Sequence, residues 1–170
     1  MNTPAPKFGL SQSNRRVEDV RLLTGAGAYV DDNAPTGALH GYVVRSSVAH
    51  GEIAELDVAE AEAMPGVHLV LTAERLADGG LRNDMPFSPA KSPVDGRKGV
   101  APTRPILATG RVRFVGEPVA FVVADTLAQA RDAAEAVMFD TDDLDVKVDV
   151  APGGAVLHEA APDNVCYVWE

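Results

Sequence analysis

Val112-Arg113-Phe114-Val115-Gly116-Glu117-Pro118-Val119-Ala120-Phe121-Val122-Val123-Ala124, continuing into Asp125-Thr126-Leu127-Ala128-Gln129-Ala130-Arg131-Asp132-Ala133-Ala134-Glu135, decides the fold. Its first half is two apolar, β-branched runs, Val112 to Val115 and Val119 to Ala124, read as strands. Gly116-Glu117-Pro118 between them is a bend, because proline fixes its φ and has no amide to give a ladder. The second half changes period. Thr126 and Gln129 have the spacing of a capping box. Ala130, Ala133, Ala134 and Val137 then recur on one helical face. The helix is expected to fade near Ala136, with Val137 to Phe139 returning to strand.

Upstream, Gly41 to Ser46 and Ile53 to Val58 read as strands, the second alternating apolar with acidic residues. Asp57 is placed to cap a helix from Ala59 to Met64, which Pro65-Gly66 ends. Val67 to Leu71 is a further strand, and Thr72 caps a short helix from Ala73 to Leu76. Residues 77–110 keep no period and contain Gly79-Gly80, Pro86, Pro89, Pro93, Pro102 and Pro105, so they form one long irregular loop. Downstream, Val146 to Val150 alternates cleanly and predicts a last strand, and residues 151–170 read as a loose tail. Residues 1–23 are polar without periodicity and read as an extended arm, followed by turns at Gly25, Gly27 and Asp31-Asp32-Asn33. Strands alternating with short helices imply a mixed α/β sheet, not a sandwich. The domain is expected over residues 24–150, between the arm and the tail.

The chain has 170 residues, enough for one core, and a domain of that size buries roughly 70% of the surface its unfolded chain exposes. Only 5% of residues are aromatic, so valine, alanine and leucine must fill that core. The net charge of −10 repels phosphate backbones and anionic lipid, so neither nucleic acid nor a membrane is an expected partner. One cysteine, Cys166, forms no internal disulfide, iron–sulfur site or thiolate zinc site. Residues 1–10 have no apolar signal-like run, and the apolar run from Pro118 to Ala124 is far too short to span a bilayer. A cytoplasmic location is expected.

Candidate chemistry is sparse. Gly25-Ala26-Gly27 opens like a dinucleotide fingerprint, but Val30 stands where the third glycine belongs and no strand precedes it, so it reads as a turn. His40, His50, His68 and His158 lack the spacing of zinc ligands. Asp140, Asp142, Asp143 and Asp145 lack the glycine and closing glutamate of a calcium loop and read as a solvated acidic turn. Ser46, Ser47 and Cys166 have no partnered base in sequence. Glu117 has two readings: a local strap on backbone donors, or a side chain facing a site shared with another domain. No catalytic, cofactor-binding or metal-binding residue is assigned.

Several stretches together resemble the opening of the molybdenum hydroxylase large subunit, the family of xanthine dehydrogenase, aldehyde oxidase and carbon monoxide dehydrogenase. They are Arg15-Arg16-Val17-Glu18-Asp19 with Arg21-Leu22-Leu23-Thr24-Gly25-Ala26-Gly27, then Leu39-His40-Gly41-Tyr42-Val43-Val44-Arg45-Ser46 with His50. Met64-Pro65-Gly66-Val67, Val112 to Ala120 and Ala128 to Glu135 continue the match in order, so that it spans most of the chain. The resemblance implies the α/β hammerhead domain. It also implies a complex with an FAD subunit and a subunit carrying two [2Fe–2S] clusters. A molybdenum–pterin cofactor would be held by a larger region downstream. The family's catalytic glutamate lies in that region, beyond Trp169-Glu170, so no catalytic residue carries over. Thr141-Asp142-Asp143-Leu144-Asp145-Val146 departs from the family by lacking a proline before the last strand.

The resulting expectation is a structural domain of a molybdenum-dependent oxidoreductase, inactive in isolation. The alternative is a free-standing binding or adaptor domain that reuses the fold. A missing partner would leave an apolar face exposed, whereas an independent domain would be polar all over. A third idea, cation binding at the turn near Asp142, is weaker.

Overall fold

The computed structural model describes residues 16–168 apart from 90, 92, 94, 95 and 97. The chain divides into two units, Met1–Ala38 and Leu39–Glu170. In the first, Asp19–Leu23 is a short helix, α1, and Val30–Asp32 a 3-10 turn. The extended arm expected over residues 1–23 therefore gives way to a helix at its described end, while residues 1–15 lie outside the described residues. Gly25, at φ 73°, terminates α1, and the amides of Gly25 and Ala26 return to the carbonyls of Leu22 and Arg21. The glycine pair thus follows a helix, where a dinucleotide fingerprint must follow a strand.

The second unit contains, in chain order, β1 (His40–Arg45), β2 (Gly51–Asp57), α2 (Ala59–Ala63), β3 (Val67–Leu71) and α3 (Ala73–Asp78). After the long loop come β4 (Arg111–Val112), β5 (Pro118–Ala124), α4 (Leu127–Glu135) and β6 (Met138–Asp143). The α/β hammerhead class stands, but its strands do not share one mixed sheet. They form two antiparallel sheets, ordered β1-β5-β3 and β4-β2-β6. The reason lies in the connections. Both α2 and α4 carry the chain from one sheet to the other, whereas a parallel crossover would return it to the same sheet.

β5 is the centre of the first sheet. Ala120, Val122 and Ala124 are fully buried on the face that packs with Ala61 of α2 and Ala130, Ala133 and Ala134 of α4. Those small side chains let α4 lie close on the sheet. A fully buried valine such as Val122 contributes about 1.5–3 kcal/mol. The helix starts as expected: the Thr126 hydroxyl accepts from the Gln129 amide at 3.2 Å. The reciprocal half differs from a capping box. Gln129 accepts from the Thr126 hydroxyl at 2.8 Å and donates to the Pro65 carbonyl at 3.2 Å, which ties α4 to the turn before β3.

A smaller cluster of Ala108, Val112 and Val119 joins the sheets, with Val44, Ile53 and Phe139 against it. Asp57 accepts from the Ala59 amide, and Thr72 accepts from the Arg75 amide at the start of α3. β4 is shorter than the expected strand through Val115; Phe114 and Val115 are exposed beyond it. β6 instead runs longer than expected, through Asp143, so the acidic run is mostly an exposed strand and not a turn. The strand expected at residues 146–150 pairs with no described strand.

Candidate functional site

The Gly116-Glu117-Pro118 bend brings the chain from β4 into β5, and the chain leaving β1 locks onto it. The Ser46 amide donates to the Glu117 carbonyl at 2.9 Å, and the Gly116 amide donates to the Ser46 carbonyl at 2.8 Å. An Arg45 guanidinium nitrogen donates to the Gly116 carbonyl at 2.8 Å. Gly116 sits at φ 91°, a conformation that side chains disfavour. The buried Ser46 hydroxyl closes its own turn, donating to the Val48 carbonyl and accepting from the Val48 amide. Ser46 thus extends the β1–β5 pairing past the bend, a role that its sequence context does not show.

Glu117 is only 4% exposed, and its carboxylate accepts from the Arg113 amide. This is the strap reading: the side chain replaces a ladder partner for an amide that the bend would otherwise strand. The same residue lies in the wall of a cavity of about 700 Å³, lined mainly by Met85, Phe87, Ile106, Phe114 and Tyr167.

Arg113 faces two ways. Its Nε donates to the Leu157 carbonyl at 2.8 Å and an Nη donates to the Arg111 carbonyl at 3.2 Å. Beside it, partial burial and then the Arg113 charge hold the His158 imidazole below its usual range. A second, more polar cavity of about 830 Å³ lies on this side, with Glu52, Asp84, Arg111 and Glu159 in its wall.

The long loop is tied at its neck. Asn83 donates from Nδ2 to the Leu107 carbonyl at 2.8 Å and accepts from the Leu107 amide at 2.9 Å. The tail is not loose. Asn164, at φ 59°, donates to the carbonyls of Gly153 and Ala155 and accepts from the Leu157 amide. The Val100 amide donates to the Cys166 carbonyl at 2.7 Å, joining loop and tail. Asparagine tolerates the left-handed region, and Gly153-Gly154 followed by Asn164 was the available sequence signal.

The histidines are scattered. His40 opens β1 and is exposed; His68, on edge strand β3, pairs with Asp125 at 2.7 Å in the open. His50 is buried, with Nδ1 2.7 Å from the Asp145 carbonyl, so Nδ1–H donates, and Nε2 has no hydrogen-bond partner among the described residues. Among the described residues no three His, Cys, Asp or Glu side chains stand together as a metal site. Cys166 is exposed. No helix of the described residues is long and apolar enough to cross a membrane.

Comparison with known proteins identifies this arrangement. Residues 24–145 match the family model described as aldehyde oxidase and xanthine dehydrogenase, a/b hammerhead domain. The chain belongs to that family. Over 155 residues the hammerhead chain is 41% identical to the nicotine 6-hydroxylase large subunit of Paenarthrobacter nicotinovorans, covering 88% of this chain and 18% of that one. It is 37% identical over 161 residues to the carbon monoxide dehydrogenase large chain of Afipia carboxidovorans, covering 92% of this chain and 18% of the relative. The crystal structure of the Cu,Mo-CO dehydrogenase superposes with a TM-score of 0.71 at 37% identity, over 91% of this chain and 18% of that one. Quinoline 2-oxidoreductase from Pseudomonas putida 86 gives 0.67 at 38% identity, over 84% and 17%. The hammerhead chain therefore spans less than a fifth of the length of these relatives.

Proposed function

We propose that the hammerhead chain is a structural domain of the large subunit of a molybdenum-cofactor-dependent oxidoreductase. The observation that carries this reading is the family match over residues 24–145, in relatives of which the chain makes up 18%. Exposed apolar side chains support it over the free-standing adaptor, since Phe87, Phe114 and Tyr167 are each more than half exposed around one cavity.

The residues present do not fit molybdenum. The described part offers no set of three ligands, and the Glu117 carboxylate is already committed to the Arg113 amide. The rest of the large subunit would hold the molybdenum–pterin cofactor, which supplies the redox chemistry that adds oxygen from water to a substrate. The hammerhead domain contributes shape. The Ser46–Glu117 lock holds the bend before β5 to the end of β1, and the Asn83 neck fixes the base of the loop at residues 79–110. That loop and Glu117 would border the approach of substrate. An FAD subunit and an iron–sulfur subunit are the proposed partners, in the cytoplasm.

Purification from the native host tests the reading. The expected result is recovery with larger polypeptides carrying molybdenum, iron and flavin, and neither molybdenum nor turnover in the chain alone. A metal-free monomer at natural length would favour the adaptor. Stoichiometric molybdenum in the isolated chain would overturn the scaffold role.

A further inference from the structure

We propose that residues 145–150 are an unfinished β-strand, completed by an extended segment from the rest of the large subunit that is apolar on its facing side and flanked by lysine or arginine. The proposal rests on the scaffold reading above.

The sequence there has the two-residue period of a strand, with Val146, Val148 and Val150 on one side and Lys147 and Asp149 on the other. The structure turns this pattern inside out. Val146 is 51%, Val148 92% and Val150 104% exposed, while the Lys147 side chain is only 9% exposed. Lys147 lies over Gly154, where an added Cβ would come within 3.2 Å of its Cδ, and it pairs with Asp149. A solvated strand edge would present its lysine and bury its valines. Here the charged side chain is turned toward the protein and the three valines toward solvent.

The backbone tells the same story. No residue from 145 to 150 makes a backbone–backbone hydrogen bond to another described residue. Yet the segment is held at its start. The Leu144 amide donates to the His50 carbonyl at 2.9 Å and His50 Nδ1–H donates to the Asp145 carbonyl, while the Ala151 amide closes a local turn on the Asp149 carboxylate. A segment anchored at its start, unpaired, and exposing its valines is a place where a strand can be added.

Charge decides between occupants. Asp140, Asp142, Asp143, Asp145 and Asp149 crowd the segment, and the chain as a whole carries −10. A second copy would set these carboxylates against one another, which destabilises cross-strand pairs. A cationic flank beside an apolar strip complements them. The relatives carry more than four fifths of their length outside the matched region, so the covering strand has ample polypeptide to come from.

Hydrogen exchange on the assembled large subunit, purified from its host, is the test. The amides of residues 146–150 should exchange at least about tenfold slower than in an unstructured peptide. Full-rate exchange in an assembly that carries molybdenum would overturn the strand and leave the scaffold reading standing. Failure to recover the chain with any molybdenum-carrying polypeptide would overturn both. In the same assembly V148C, treated with a thiol-to-amine cross-linker, should join to a lysine of the large subunit outside the hammerhead region. A link to a second copy of the hammerhead region would overturn the choice of occupant.

Discussion

β5 and residues 146–150 both read as strands and meet opposite fates. β5 is a continuous apolar run, Pro118 to Ala124, whereas residues 146–150 alternate valine with lysine and aspartate. Val122 is fully buried between β1 and β3 and beneath α4, whereas Val148 is 92% exposed beside no strand. The difference is the supply of neighbours. β5 has paired strands on both edges and a helix rich in alanine over one face. The 146–150 segment leaves β6, itself an edge strand, and pairs with no described strand of either sheet. Alternation announces that a face will be buried; it does not say by what.

The sharpest break of this comparison is a charge on each segment. Val122→Asp should cost about 3–5 kcal/mol, because it buries an unpaired carboxylate, and should abolish a cooperative thermal transition. Val148→Asp in the chain alone should stay within about 0.5 kcal/mol of wild type. Equal losses would mean that residues 146–150 are packed after all.

Next in size is Glu117→Ala, which strands the part-buried Arg113 amide and should cost about 1–3 kcal/mol in urea unfolding. Glu117→Gln keeps an acceptor and should recover part of that loss. If Glu117 acts only as a strap, both variants should leave the turnover of an assembled enzyme intact in proportion to its folded fraction; a separate fall in kcat would favour the site-facing role.

Thr126→Ala removes the hydroxyl at the start of α4 and should cost about 1 kcal/mol. Because Gln129 also bonds Pro65, the double variant Thr126→Ala, Gln129→Ala should loosen the turn before β3 as well, read as faster exchange at the Asp125 amide.

The smallest effect concerns pH. His158 has its folded value below the ordinary 6.5, through partial burial and the Arg113 charge. The unfolded chain therefore takes up this proton first as pH falls. Stability is greatest above about pH 6.5 and declines below it, until the folded-state imidazole is also protonated. His158→Gln should flatten that part of a stability profile, and an unchanged slope would show that His158 is not its source.

Much of the hammerhead fold was legible from single residues. Thr72 and Thr126 each cap the helix that their spacing predicts, since a cap is a local contest between a side chain and the first free amides; Asp57 stands one residue ahead of the cap position Val58 and accepts from the Ala59 amide. Val67–Leu71 and the β5 run appear where their composition places them. The division into two sheets was not legible, because periodicity reports a buried face and not the identity of the strand beside it. The locked tail was missed because Asn164 works through carbonyls up to eleven residues away.

At the candidate site, Glu117 could be singled out from its bend, but its partner could not. The Arg113 amide becomes a stranded donor only when β4 stops at Val112 and the chain turns. Ser46 carried no sequence signal, since its role depends on Gly116 and Glu117 arriving opposite it at the end of the β1–β5 pair.

By itself the sequence determined the helix starts, the core strand β5, the acidic and cysteine-poor character of the chain, and the ordered motifs that mark the family, because these depend on local sterics, composition and spacing. Only the tertiary structure decided that the strands divide into two sheets, that Glu117 straps an amide, and that Val146, Val148 and Val150 face outward. Those outcomes depend on which distant groups compete for the same buried space and the same hydrogen bonds, and that competition is resolved only when the whole chain is packed.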